Sequence, residues 1–346
     1  DFLPERWSGS IGWPLDDSDL AGYSRRAADF LEFDDRLLES NSYQNNDFLA
    51  FDGDRVQTKL FIQRPTRLGQ ELKDWIKQVD SVDLWVHASL SSVKSKGNKI
   101  EYIIARDLAD KELKVKARIF VVAAGGLENP RLLLSFANGN LIPIDQNARK
   151  AIGRYFSLHP HFFYGALLLT GQAAEKPLYL PQSVNQNTRR AGYFQLHPEV
   201  RQKHKLYKAL FRHQNAAIPE KSRWYDEKRL ALWGKKKRVM LDTMFIQSAM
   251  PMSIDNRIEL GSERDKLGMP KIRATVSLDS ETFDNYHRSL LQYITELGLN
   301  GYGRVKFGRG VFSDYKRGKR TVSGGHHFMC TTRMAATPND GVVDKD

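Results

Sequence analysis

The stretch that most limits how this chain can fold is "RIFVVAAGGLENPRLLL", Arg118–Leu134. Ile119–Val122 is apolar without alternation, the text of a strand buried on both faces, as in a parallel sheet. It runs into Ala123, Ala124, Gly125 and Gly126, and then into a helix over "NPRLLLSFA". Asn129 is the expected cap of that helix and Pro130 its first residue. A strand that ends in small residues and opens a helix builds a layered α/β unit. In open sheets of that kind, ligands lie at the carboxyl ends of the strands, where small residues let backbone approach them. A tight strand-to-helix turn without a ligand satisfies the same residues.

Upstream, "LGQELKDWIKQV" places Leu68, Leu72, Trp75 and Ile76 on one helical face. "VDLWVHASL", "KIEYIIARD" and "VKARIFVVAAGG" then read as strands, separated by the turns "SKGNK" and "DLADKE". Nearer the start, Asp16–Asp19 offer capping oxygens to a helix carrying Leu20, Tyr23, Ala27, Phe30 and Leu31. Between Leu141 and Val322 strand text ("FFYGALLLT", "RVMLDTMFIQSAM", "NRIELGSE", "PKIRATVSL") alternates with helices such as "SETFDNYHRSLLQYITELGL". The expected class is α/β, α+β overall, with a second, antiparallel sheet domain carrying helices on one side. A chain of 346 residues suits two domains, and 41% hydrophobic content suffices for a real core.

The apolar runs fall far short of the roughly 20 residues that a membrane span needs. No charged-then-apolar leader opens the sequence. A single cysteine excludes an internal disulfide framework, so a reducing, cytoplasmic location is the expectation. Nearly all of the net charge of +12 sits between Arg189 and Arg238, where 15 Lys and Arg face 4 Asp and Glu. A nucleic-acid groove would recur across a domain, so no nucleic-acid partner is expected. The segment reads either as an exposed helical excursion, beginning at "PEVRQKHKLYKALFRH" with Val200, Leu206, Leu210 and Phe211 as a partial apolar face, or as a docking patch for an anionic partner such as a glycan, lipid head group or nucleic acid.

Near the end of the chain, "SGGHHFMCTTRM" sets His326 and His327 beside Cys330. A zinc or iron site could use these residue types. Neighbouring residues of a strand point to opposite faces, however, so the two histidines would not share one ion, and no metal is expected.

In order along the chain, "DFLPERWSGSIGWPLDDSDLAGYSRRA", "FVVAAGGLENPRLLL", "IGRYFSLHPH", "NRIELGSERDKLGMPKI" and "GGHHFMCTTRMAATPNDGVVD" resemble segments of the glucose–methanol–choline (GMC) family of flavin-dependent oxidoreductases. The resemblance implies a doubly wound FAD-binding domain, present as a remnant, joined to a substrate domain with a large antiparallel sheet and flanking helices. On that pattern residues 1–64 border both domains, 65–137 belong to the FAD-binding domain, 138–322 form the substrate domain with its basic excursion 189–238, and 323–346 return to the flavin. The run from Trp85 to Leu90, with Val86, would lie along the adenosine of FAD. The turn Ala123, Ala124, Gly125 and Gly126 would bring backbone to the same end of the cofactor.

The family's catalytic histidine lies six residues before the arginine of its T-x-R-M piece, and counting back from Arg333 gives His327, with His326 as the second candidate. Hydride leaves the alcohol carbon for the flavin while the hydroxyl proton passes to a neutral imidazole. The implied substrate is an alcohol, a sugar or polyol CH–OH, and the electron acceptor would be oxygen, a quinone or a cytochrome. The family also includes lyases and decarboxylating members. His159 and His161 match a segment near the flavin, Arg333 is expected to pair with a carboxylate, and Cys330 stands where the family has glycine. No G-x-G-x-x-G occurs; the nearest text, "GYGRVKFG", carries Lys306 at the third glycine. The dinucleotide loop and the family's second catalytic residue, Asn or His, are therefore expected in sequence beyond this chain, which reads as an internal fragment inactive by itself.

Overall fold

The structure, a computed structural model, describes residues 4–32, 48–64, 68–170, 173, 182–185, 188–214, 239–307 and 310–345. Its centre is a seven-stranded antiparallel sheet with the strand order β1-β7-β8-β9-β5-β12 and β6 paired beside β7. These strands are β1 (Val56–Gln63), β5 (His161–Thr170), β6 (Gln182–Asn185), β7 (Thr188–Leu196), β8 (Ala209–Gln214), β9 (Val239–Ser248) and β12 (Gly303–Phe307). Two smaller antiparallel sheets accompany it: the meander β2 (Ser89–Lys96), β3 (Lys99–Arg106) and β4 (Glu112–Val115), and the hairpin β10 (Arg257–Arg264) and β11 (Pro270–Thr275). The helices are α1 (Asp17–Phe30), α2 (Leu68–Gln78), α3 (Gly125–Asn138), α4 (Gln146–Ala151), α5 (Pro198–His204), α6 (Ser280–Leu299) and α7 (Val311–Lys316). The class is α+β, built on antiparallel sheets.

Period-2 alternation divides the large sheet into two unlike faces. Phe162, Phe194, Leu196, Phe211 and Ile246 point to one side, where α6 lays Tyr286, Leu290, Tyr293 and Leu297 across them. Tyr293 stacks on Phe211 with ring centroids 4.4 Å apart and lies 5.4 Å from Phe194. The Asp279 side chain accepts from Thr282 N–H at 2.7 Å and starts α6. The register pairs Lys59 with Tyr193, Gln57 with Gln195 and Leu210 with Gln247, so these residues share the other face.

Several expectations are corrected. The helix read from Pro198 to His213 ends at His204, where Lys205 adopts φ 51°; Leu206 then enters the core, and Leu210 and Phe211 belong to β8, because hydrophobic residues at strand spacing found a sheet edge to join. Arg189 and Arg190 likewise lie in β7 rather than in a helical excursion; residues 215–238, with most of the basic run, fall outside the described residues. "VDLWVHASL" becomes a strand only from Ser89, and Ile119–Val122 does not form one at all. Ile119 and Val121 are 79% and 82% exposed, in a stretch that joins no named strand. An isolated apolar run has no ladder to satisfy its N–H and C=O groups, so composition alone does not make it a strand. Helix α1 does begin at Asp16, through a capping box with Asp19, but Tyr23 and Phe30 on its apolar stripe are exposed.

Candidate functional site

Helix α3 begins at Gly125, four residues before the expected cap Asn129. The Asn129 side chain instead accepts from Ala124 N–H at 2.8 Å, fastening the turn from inside the helix. Pro130 therefore falls within α3. It has no N–H for the carbonyl of Gly126, its partner four residues back. Thr331 fills that vacancy: its hydroxyl donates to Gly126 O at 2.7 Å, and the side chain is buried. A Cβ on Gly126 would fall on the Phe328 carbonyl oxygen, so only glycine permits this approach. The small-residue turn and the histidine loop, far apart in sequence, are thus held together by the Thr331 hydroxyl and a close backbone approach at Gly126.

The loop carrying His326 and His327 is a turn and not a strand. Gly325 and His326 have φ of 63° and 57°, and isolated bridges on either side pair Ser323 with His161 and Met329 with Ser157. The strand geometry expected to point the two histidines to opposite faces is therefore absent. His327 stands edge-on to His159, ring centroids 5.5 Å apart and planes at 87°. His326 lies 6.5 Å from Phe328, which stacks on Phe156. A Cβ on Gly325 would sit 2.7 Å from Cε1 of His161, so this glycine lets the loop lie against that ring. Among the described residues no three His, Cys, Asp or Glu side chains gather as a metal set.

Burial holds His159 below the ordinary histidine range, helped by the nearby charges of His327 and Lys208. His161 is lowered in the same way, by burial first and then by His159, His327 and Arg212. Cys330 has φ 71°, a conformation that glycine takes without strain. Burial pushes its thiol up to about 11 despite Arg333 nearby, which is the reverse of an activated nucleophile. Arg333 does not pair with a carboxylate among the described residues, contrary to expectation. Its guanidinium lies 3.5 Å over the Tyr155 ring, and its Nε donates to the Asp340 carbonyl.

Beside His159 the second face of the large sheet opens into a cavity of about 400 Å³, lined by Lys59, Phe61, Gln195, Lys208, Leu210 and the Gln247–Ala249 end of β9. Its walls are fixed by backbone: Ser248 N–H donates to Pro160 O at 3.0 Å and Ala249 N–H to Lys208 O at 2.7 Å. Sequence reading missed Lys59, Gln195 and Lys208, treating the last as part of a solvated charged helix. The alternation in "VQTKLFIQ" and "AGYFQL" is the signal that could have put Lys59 and Gln195 on the face away from the core.

Of the residues expected near a cofactor, Ala123, Ala124, Gly125 and Gly126 form the turn beside the histidine loop. Val86 is exposed on the run before β2, and Leu90 sits in β2 opposite Ala105, in the meander. Neither belongs to the cluster just described. The fit to a dinucleotide rests on the turn. Gly125 has φ 86° with nothing within 4 Å of the position a Cβ would take, and no side chain caps α3. Open, uncapped N–H groups at a helix start suit an anionic group.

No family model matches the chain, and no curated protein matches it. Solved structures do match. A crystal structure of formate oxidase is 14% identical, over 75% of this chain and 52% of that one, with a TM-score of 0.39. A variant of formate oxidase from Aspergillus oryzae RIB40, studied for FAD modification, is 13% identical over 74% of this chain and 52% of that one, with a TM-score of 0.39. The chain spans about half the length of these structures.

Proposed function

We propose that the protein is an FAD-dependent oxidoreductase that oxidises the CH–OH group of a sugar or polyol, with His327 as the general base. The observation that carries this reading is the clamp between the loop and α3. It puts His327 and an uncapped, glycine-opened helix start on one rigid junction, through Thr331 and Gly126. Two of the five sequence motifs that resemble GMC oxidoreductases, "FVVAAGGLENPRLLL" and "GGHHFMCTTRMAATPNDGVVD", are the partners of that junction.

The turn Ala123–Gly126 would hold FAD through backbone N–H groups at the open start of α3. When bound, FAD supplies the acceptor for the hydride of the carbinol C–H. His327 takes the hydroxyl proton on a ring nitrogen as that bond breaks. His159, kept neutral near pH 7 by its burial, orients the His327 edge without adding a second positive charge to it. Pre-fixed loop geometry matters because a base displaced by about 1 Å can lose roughly 100-fold in rate.

In the full-length protein, His327→Ala should slow anaerobic flavin reduction by an alcohol substrate by about 100- to 10,000-fold while leaving bound FAD unchanged in the visible spectrum. His326→Ala should leave reduction near the parent rate. Unchanged reduction in His327→Ala sinks the assignment, and a loss confined to His326→Ala transfers it to that residue.

A further inference from the structure

Residues 153–157, "GRYFS", lie between the histidine loop and the β10–β11 hairpin and are bonded to both. Toward the loop, Gly153 N–H donates to Thr331 O at 2.8 Å, and Ser157 exchanges two backbone bonds with Met329, at 3.1 and 3.0 Å. Toward the hairpin, Gly153 O accepts from Ile258 N–H at 2.8 Å and Phe156 N–H donates to Asn256 O at 2.9 Å. Asn256 is fully buried, and its side chain accepts from Ser277 N–H at 2.7 Å. In the middle stands Tyr155, with φ 59°. A bulky residue at positive φ is an outlier, and such strain persists only where the surroundings over-determine it. The bonds on either side do so here. Glycine would take this conformation freely, so what tyrosine adds is its ring. The Arg333 guanidinium lies over that ring, 3.5 Å from its centroid. Arg333 is held in turn by its Nε, which donates to Asp340 O, and by its carbonyl, which accepts from Val342 N–H at 2.9 Å. A planar guanidinium on an aromatic face is attracted to the ring and fixed in orientation by it.

We propose that Tyr155 and Arg333 are positioning residues for His327: the stacked pair fixes the histidine loop at a second point, beyond the contact of Thr331 with Gly126. A loop with a single anchor pivots about it, and a second anchor gives the His327 ring one place to stand. Both residues act through the loop backbone and not on the reacting atoms. The assignment deepens the oxidoreductase reading, and it rests on that reading for treating the place of His327 as catalytic.

Two measurements on the full-length protein test this. The first is histidine ring NMR, with the His327 signal assigned by its loss in His327→Gln, and it needs no turnover. Tyr155→Leu and Arg333→Met should shift or broaden the His327 signal. Tyr155→Phe, which keeps the ring, should leave it in place, and Arg333→Lys, which keeps a cation over the ring, should fall between. If Tyr155→Leu does not fold, Tyr155→Gly replaces it, since glycine accepts φ 59° without strain. The second is anaerobic flavin reduction. Tyr155→Leu and Arg333→Met should each slow it by roughly 10- to 100-fold with FAD still bound, the effect of a base displaced by about 1 Å. In a His327→Ala background the same changes should slow it no further, because residues that act through one another are not additive. An unmoved His327 signal in both variants, a loss in Tyr155→Phe equal to that in Tyr155→Leu, or the same fold-loss with and without His327 overturns the proposal. If the His327 signal moves as expected but His327→Ala leaves flavin reduction unchanged, the base assignment falls while the positioning of the loop by Tyr155 and Arg333 stands.

Discussion

Two stretches of this chain are almost equally apolar and end in opposite places. "HFFYGALLLT" becomes β5, between β9 and β12, with Phe162, Tyr164, Leu167 and Leu169 fully buried. "RIFVV", at Arg118–Val122, belongs to no strand, and its Ile119, Val121 and Val122 side chains are exposed. The difference is neighbours, not composition. β5 has a ladder on each edge and α6 over one face. The second stretch has neither among the described residues. Burial of a large apolar side chain contributes about 1.5–3 kcal/mol, and only a stretch with an opposing layer realises it.

The largest test of this contrast is in the stacked pair under the sheet. Phe211→Ala or Tyr293→Ala should cost about 3–5 kcal/mol in urea unfolding, because each removes a ring and leaves a cavity that a sheet and a long helix cannot close. A loss below about 1 kcal/mol would mean that the sheet–helix layer is not the seat of stability.

Next in size is the clamp that joins the apolar stretch to the histidine loop. Gly126→Ala pushes a methyl group into the Phe328 carbonyl, a backbone atom that cannot rotate away. Thr331→Val keeps the shape but leaves Gly126 O without its donor, at a cost of about 1–3 kcal/mol. Thr331→Ser, which retains the hydroxyl, should recover most of that. Equal loss in the Ser and Val variants would show that packing and not the hydrogen bond holds the junction.

Two strands of the large sheet were legible from sequence, in "FFYGALLLT" and "RVMLDTMFIQSAM", along with the meander and the long helix, and the clamp was not. Segments such as "KIEYIIARD" and "SETFDNYHRSLLQYITELGL" carry periodicity, turn residues and caps that agree with each other, and they fold as read. Ile119–Val122 has the composition of a buried strand, but a strand is a relation between segments, and no local pattern says whether a partner is present. The role of Pro130 was misread for a related reason. At the first helical position its missing N–H is harmless; at the observed position it frees a carbonyl whose donor, Thr331, lies 201 residues further on. The cavity lining was hidden because Lys59, Gln195, Leu210 and Gln247 come from four separate strands and converge only through sheet register.

A smaller effect concerns pH. His159 and His161 are both lowered by burial, so the unfolded chain binds protons more readily than the folded one as pH falls through the ordinary histidine range. Their contribution is therefore fully present above that range and is lost as pH drops through it toward the lowered values. The urea midpoint should fall between about pH 7.5 and pH 5, and His159→Gln should flatten part of that slope. A slope unchanged in His159→Gln would place the proton uptake elsewhere.

The smallest expected effect is the sharpest test of the opening contrast. Ile119→Ser and Val121→Ser should change the unfolding free energy by less than about 0.5 kcal/mol, because exposed side chains lose no burial when shortened or made polar. The same change at Leu167 in β5, buried to 0% exposure, should cost several kcal/mol by burying an unpaired hydroxyl as well as removing apolar volume. A loss of about 2 kcal/mol or more at Val121 would mean that this stretch is covered in solution, and the contrast with β5 would fail at its exposed end. A null result at Val121 with a large one at Leu167 would tie strand formation in this chain to the presence of a second layer, since the two sites differ in their surroundings far more than in their chemistry.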